Sequence, residues 1–160
     1  MGTNLTRREV ISQLKRGSRI VTETAAFTFT PERHGGKITL LSLLAGFTAT
    51  LPAAIGSGII YRVHVGIVLT SGNYIIQVAN NADNFEGHLL MIDTDTATDL
   101  CEGFETTSNT SDTITLNVTT TGGLTIGDYM EFTDIAVNVW HVKGVLTGSG
   151  DLTTPFSAAV

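Results

Sequence analysis

Beyond residue 17 the chain sustains no helical period apart from a single turn near Leu40–Leu44, and this constrains its fold more than any other feature. Apolar residues alternate with polar ones over short runs, and many of the seventeen glycines fall between those runs. Alternation with period two lets a strand turn one face to a core and the other to water, and glycine-rich breaks mark the turns.

Ile20–Phe29 and Lys37–Leu41 read as strands, separated by Pro31 and the Gly35-Gly36 pair. Ile59–Leu69 places Tyr61, Val63, Val65 and Ile67 on one face and Arg62, His64 and Gly66 on the other. Thr70-Ser71-Gly72-Asn73 then predicts a tight hairpin into Tyr74–Ala79. Asn80–Gly87 reads as a polar loop, His88–Ile92 as a short apolar strand, and the Thr/Ser-rich Asp93–Thr113 as mostly loop. Thr113–Val118 turns Ile114, Leu116 and Val118 inward, and Asp128–Thr133 and Val137–Lys143 follow, with Trp140, Val142 and Leu146 sharing a face. The expected fold is all-β: an antiparallel β-sandwich or jelly-roll, formed by residues 19–160 as a single domain. A chain of this length buries roughly two-thirds of its unfolded surface, so it needs no disulfide staples. Cys101 is its only cysteine, which excludes an intrachain bridge and a cysteine-built zinc site.

The front of the chain is different. Thr6 and Glu9 fit the pattern of a capping box, and Leu5 and Val10 are spaced as a hydrophobic staple. With Gly17 as the stop signal, these residues predict a helix from about Arg7 to Arg16 whose apolar stripe is Val10, Ile11 and Leu14. A helix this short is marginal alone in water and requires a surface to dock on. Residues 1–18 are therefore read as a short helical arm.

Charge divides the chain at the same end. Residues 1–37 carry Arg7, Arg8, Lys15, Arg16, Arg19, Arg33 and Lys37 against three glutamates, a balance of +4. Residues 38–160 carry only Arg62 and Lys143 against twelve acids, a balance of −10, and the whole sums to −6. A basic arm on an acidic body suits attachment to an acidic partner. Nucleic acid is not the expected partner, because no aromatic residue lies among the arm's basic residues for stacking and the body would repel phosphate. The uncharged stretch Ile38–Tyr61 is long enough to cross a bilayer, yet its glycines, Pro52 and the alternation Phe47-Thr48-Ala49-Thr50-Leu51 mark it as core strand; no membrane partner is expected. Residues 1–20 lack the apolar region of a secretory signal, in keeping with synthesis in the cytoplasm.

Sites for chemistry are weak. The run Asp93–Asp99 has the oxygen-rich spacing of a calcium loop but offers Thr98 and Phe104 where an EF-hand needs glycine and glutamate. It reads as a solvated loop, with an irregular site drawing on Asp83 or Glu86 as the alternative. His34, His64, His88 and His141 form no HExxH pair, no GxSxG elbow is present, and the Gly122-Gly123 and Gly148-Ser149-Gly150 turns lack the lysine of a phosphate loop. No metal, cofactor or catalytic site is expected, and the chain reads as a protein other than an enzyme.

Two long strings carry a resemblance. LPAAIGSGIIYRVHVGIVLTSGNYIIQVANNADNFEGHLL (51–90) and SDTITLNVTTTGGLTIGDYMEFTDIAVNVWHVKGVLTGSG (111–150), closing on TTPFSAAV, are similar to segments of structural proteins of tailed bacteriophages. The family indicated is that of capsid decoration (cement) proteins, with related head-fibre modules. The resemblance implies a β-sandwich or tulip-like domain forming a homotrimer on the outer capsid surface of the virion. There it would bind the major capsid protein and stabilise the shell. In that setting Arg7, Arg8, Lys15, Arg16 and Arg19 would meet acidic capsid surface, with Val10, Ile11 and Leu14 as apolar anchors. Two other readings make different demands. A head-fibre or tail-fibre adhesin for a host receptor or glycan would need exposed aromatics such as Tyr74 or Trp140. A polysaccharide hydrolase would need a carboxylate pair, for which Asp83–Asp112 is the richest region.

Overall fold

The computed structural model describes residues 19–95 and 100–160. The predicted helix, and with it Arg7, Arg8, Val10, Ile11, Leu14, Lys15 and Arg16, lies outside them. The described residues form two β-sheets packed face to face on one core, an all-β sandwich as expected. The first sheet has seven strands in the order β1-β3-β5-β10-β11-β7-β8, and the second has five in the order β12-β9-β6-β4-β2.

The first six strands are β1 (Ile20–Glu23), β2 (Phe27–Thr28), β3 (Ile38–Leu41), β4 (Gly46–Thr50), β5 (Ile60–Val65) and β6 (Asn73–Gln77). They alternate strictly between the two sheets. β1, β3 and β5 run parallel in the first sheet, and β2, β4 and β6 run parallel in the second. This half of the chain is thus wound as a flat coil whose successive strands face each other across the core.

The coil overturns two expectations. The sheets are mixed rather than purely antiparallel, and the predicted hairpin across Thr70–Asn73 does not form. β5 pairs with β3 and β10, whereas β6 pairs with β4 and β9, so the turn carries the chain from one sheet to the other. The uncharged stretch at 38–61 supplies β3 and β4, as its alternation predicts. No helix among the described residues is long and apolar enough to cross a membrane.

The remaining strands are β7 (Asn84–Asp93), β8 (Cys101–Glu105), β9 (Thr113–Leu116), β10 (Tyr129–Ala136), β11 (Val139–Gly148) and β12 (Phe156–Ser157). β10 and β11 form a true hairpin turning at Asn138, which has the positive φ that asparagine tolerates. β8 occupies part of the segment expected to be loop, paired antiparallel with β7. A one-turn helix, α1 (Pro31–His34), was not predicted; Thr30 caps it, its side chain accepting from the Arg33 amide, and Pro31 sits in its first turn.

The core follows the alternation. Trp140, Val142 and Leu146 point inward together, as do Ile114 and Leu116, and Val118, partly buried and with a positive φ, packs against the same core. Tyr61 lies between Phe29 and Trp140, with ring centroids 5.1 and 5.7 Å away. Burial pushes the Tyr61 phenol up to about 12, with Asp134 and Glu32 adding to the effect.

Candidate interaction surface

The outer faces of the two sheets differ in chemistry. On the second sheet the outward rows read Thr28, Thr50, Gln77, Thr113, Ser157 and Thr48, Ile75, Thr115; apart from the buried Thr113 they make a threonine-rich surface suited to water. On the first sheet, the register aligns Leu40, His64, Tyr129, Val145 and Leu90 in one row across five strands. Ile92 and Cys101 extend it one step along β7 and β8. Tyr129 is 41% exposed, Leu90 41% and Ile92 44%, and the Tyr129 ring stacks on His64 at 5.6 Å. Burial lowers the pKa of His64, and nearby Arg62 acts in the same direction against a hydrogen bond to the Gly127 backbone.

A parallel row beside it holds Ile20, Ile38, Arg62, Glu131, Lys143, His88 and Glu105. Here Glu131 accepts from Arg62 Nε at 2.9 Å and meets Lys143 Nζ at 3.1 Å. Burial works against the Glu131 carboxylate, but Lys143 and Arg62 outweigh it and hold its pKa below the ordinary range. Arg62 and Lys143, the only arginine and lysine in residues 38–160, are thus spent on one glutamate. What this face offers a partner is an apolar stripe beside a neutralised ionic row, with three of the four histidines, His64, His88 and His141, pointing outward on it.

Among the expected site residues, only Arg19 lies in the described part. It is exposed and directly precedes β1, the edge strand of this sheet, and its carbonyl accepts from the Ile38 amide at 2.8 Å. The chain therefore enters the sandwich at the margin of the apolar face. Sequence reasoning placed Arg62 and His64 on the outer face correctly. It passed over Leu90 and Ile92, because the run His88–Ile92 is apolar enough to suggest burial on both sides.

The adhesin reading loses the aromatics named for it. Tyr74 and Trp140 are both buried. The Tyr74 hydroxyl lies within hydrogen-bond reach of the carbonyls of Leu41, Leu43 and Ile67 and accepts from the Leu43 amide, tying three points of chain together from inside the core. Trp140 donates its indole N–H to the Pro52 carbonyl. Neither ring can meet a sugar; Tyr129 is the aromatic on the surface.

The carboxylates are largely committed to backbone. Asp134 accepts from the amides of Ile55, Gly56 and Ser57 and from the Ser57 hydroxyl at 2.6–3.3 Å. Asp128 accepts from the amides of Gly123, Thr125 and Thr147 and from the Thr147 hydroxyl. Asp83 and Asp112, from the acidic region singled out above, line one cleft together. In the run Asp93–Asp99, Asp93 accepts from the Asp95 amide at 2.8 Å, and residues 96–99 lie outside the described part. No group of three or more His, Cys, Asp or Glu side chains placed to hold a metal occurs among the described residues. His34 is buried against Phe27 and Phe29 and paired with Glu23 at 3.2 Å, a packing role.

Compared with protein-family models, curated proteins and solved structures, the chain matches none.

Proposed function

We propose that the protein is a virion structural protein of a tailed bacteriophage, a capsid decoration (cement) protein. It binds the major capsid protein on the outer face of the head as a homotrimer and stabilises the shell through its N-terminal arm. The observation that carries this reading is the outer face of the seven-stranded sheet, where an exposed apolar row ends beside the strand that residues 1–18 lead into. In monomers, large apolar patches are uncommon and mark sites of association. The face serves as the contact between copies, and the basic arm, with Arg7, Arg8, Lys15, Arg16 and Arg19 around Val10, Ile11 and Leu14, reaches the capsid. Three modest contacts held in one trimer add up to durable attachment. The acidic remainder keeps decorated particles mutually repelling.

Co-sedimentation with undecorated heads tests the reading. The full chain is expected to bind saturably and more weakly as salt rises, and a form lacking residues 1–18 to stay in the supernatant while remaining folded. Absence of binding by the folded full-length protein would overturn the proposal. Full binding by the truncated form would remove the arm from it.

A further inference from the structure

At the end of the sandwich where β7 begins, a cleft of about 190 Å³ lies between three stretches of chain. Its polar lining is Asn81, Asp83, Asn84, Asn109, Thr110 and Asp112, with only alanines besides; among the described residues no lysine, arginine or histidine lines it. Two carboxylates therefore share a confined space with no cation to balance them. Two carboxylates alone do not make a site, but a second observation points the same way. Asp83 is 2% exposed and Asn84 8% exposed, and Oδ1 of each is buried without any hydrogen-bond partner. Orphaned oxygens of this kind are costly and rare in folded proteins.

The surrounding bonds leave these two oxygens over. Asp83 uses Oδ2, which accepts from the Ala54 amide at 3.1 Å and from Asn80 Nδ2 at 3.0 Å. Asn84 donates its Nδ2 to the Asn138 carbonyl at 3.1 Å, which fixes the amide and leaves Oδ1 as a free acceptor. Asp112 accepts from the Thr113 hydroxyl at 2.8 Å and from the amides of Ala159 at 2.7 Å and Val160 at 3.3 Å, so it also holds the last residues against the cleft.

We propose that this cleft binds a calcium ion, with Asp83 Oδ1 and Asn84 Oδ1 as ligands and Asp112 supplying the second charge. The donor set is oxygen only and mixes carboxylate with amide, as calcium prefers; with six to eight ligands at variable angles, calcium can complete its shell with water. The volume suffices, since a water occupies roughly 30 Å³. Magnesium, which demands a near-ideal octahedron and holds its own waters, fits this set less well. The bound ion would draw together the turn at 80–84, the segment at 109–112 and the terminal residues that Asp112 holds. This inference is independent of the capsid reading.

Thermal unfolding of the full chain in EGTA, in CaCl2 and in MgCl2 at matched ionic strength tests it, with calorimetric titration of CaCl2. Calcium at about a hundredfold above its Kd is expected to raise Tm by about 5–10 °C. Asp83→Asn should weaken calcium binding at least tenfold. Asn84→Asp adds a charge to the empty cleft, so it should lower Tm in EGTA and show a larger calcium-dependent rise than the unsubstituted protein; it keeps the test decisive if Asp83→Asn does not fold. No rise with calcium, an equal rise with magnesium, or an undiminished calcium response in Asp83→Asn would overturn the proposal.

Discussion

Asp134 gathers three successive amides and a hydroxyl from the 55–57 turn, and it is the reason that turn lies against the β10–β11 end of the sandwich. Burial opposes its ionisation, but the Ser57 hydroxyl and the amides of Ser57, Gly56 and Ile55 outweigh burial and hold its pKa below the ordinary carboxylate range. Its contribution to stability is therefore present at neutral pH and is lost as pH falls through the depressed folded-state pKa. Asp128 has the opposite sign: burial dominates the hydrogen bonds from Thr147, Thr125 and Gly123 and raises its pKa, so the folded state gains as that carboxylate takes up a proton. Urea unfolding between pH 3 and 7 should then show a shallower acid limb in Asp134→Asn and a steeper one in Asp128→Asn. Asp134→Ala, which orphans the turn amides, should cost about 2–4 kcal/mol at pH 7 in the same measurement. The sequence told that the body is acidic and empty of obvious catalytic pairs. It did not tell that these acids cap backbone, because aspartate at a strand end looks the same whether solvent or a distant turn surrounds it.

At the level of elements, Gly46 governs the pairing of β4 with β6. Its φ is +71°, and a Cβ there would lie 2.1 Å from the Asn73 carbonyl oxygen, so backbone approaches backbone where any side chain would intrude. Gly46→Ala should destabilise the protein by at least about 2 kcal/mol, read by chemical unfolding, through the positive φ and the forced separation together. This pairing also marks where sequence reading ran out. Strand positions and inward faces were legible from period-two alternation, as at Tyr61, Val63 and Val65 or Trp140, Val142 and Leu146. Partners were not, since a turn such as Thr70–Asn73 has the same composition whether it doubles a strand back beside itself or hands the chain to the opposite sheet. β8 was missed because Cys101–Glu105 sits at the sheet edge with polar and glycine residues alternating around Phe104. Of the candidate surface, Arg62 and His64 were readable. The apolar row was not, because its members come from five strands and meet only through register.

For the whole molecule, the two outer faces differ: one is rich in threonine, and the other carries the apolar row on which the proposed contact between copies rests. Replacing Leu90 and Ile92 by lysine should leave the fold intact, since surface changes away from specific contacts stay within about 0.5 kcal/mol each. If the proposed trimer forms through this face, the same double variant should reduce the mass in solution to that of a monomer, as measured by light scattering. An unchanged mass would move the contact between copies off this face.

The coiled first half has one more consequence, which concerns the order in which the chain leaves the ribosome. Its six strands emerge first, but their winding advances toward β5 in one sheet and β6 in the other, and each of these leading strands is sealed only by a later antiparallel one: β5 by β10 and β6 by β9. Until residues 113–136 have been made, both leading strands present unpaired backbone, the condition under which nascent chains stick to one another. Synthesis that stalls between residues 80 and 110 should therefore yield aggregates, whereas the completed chain closes both openings at nearly the same moment.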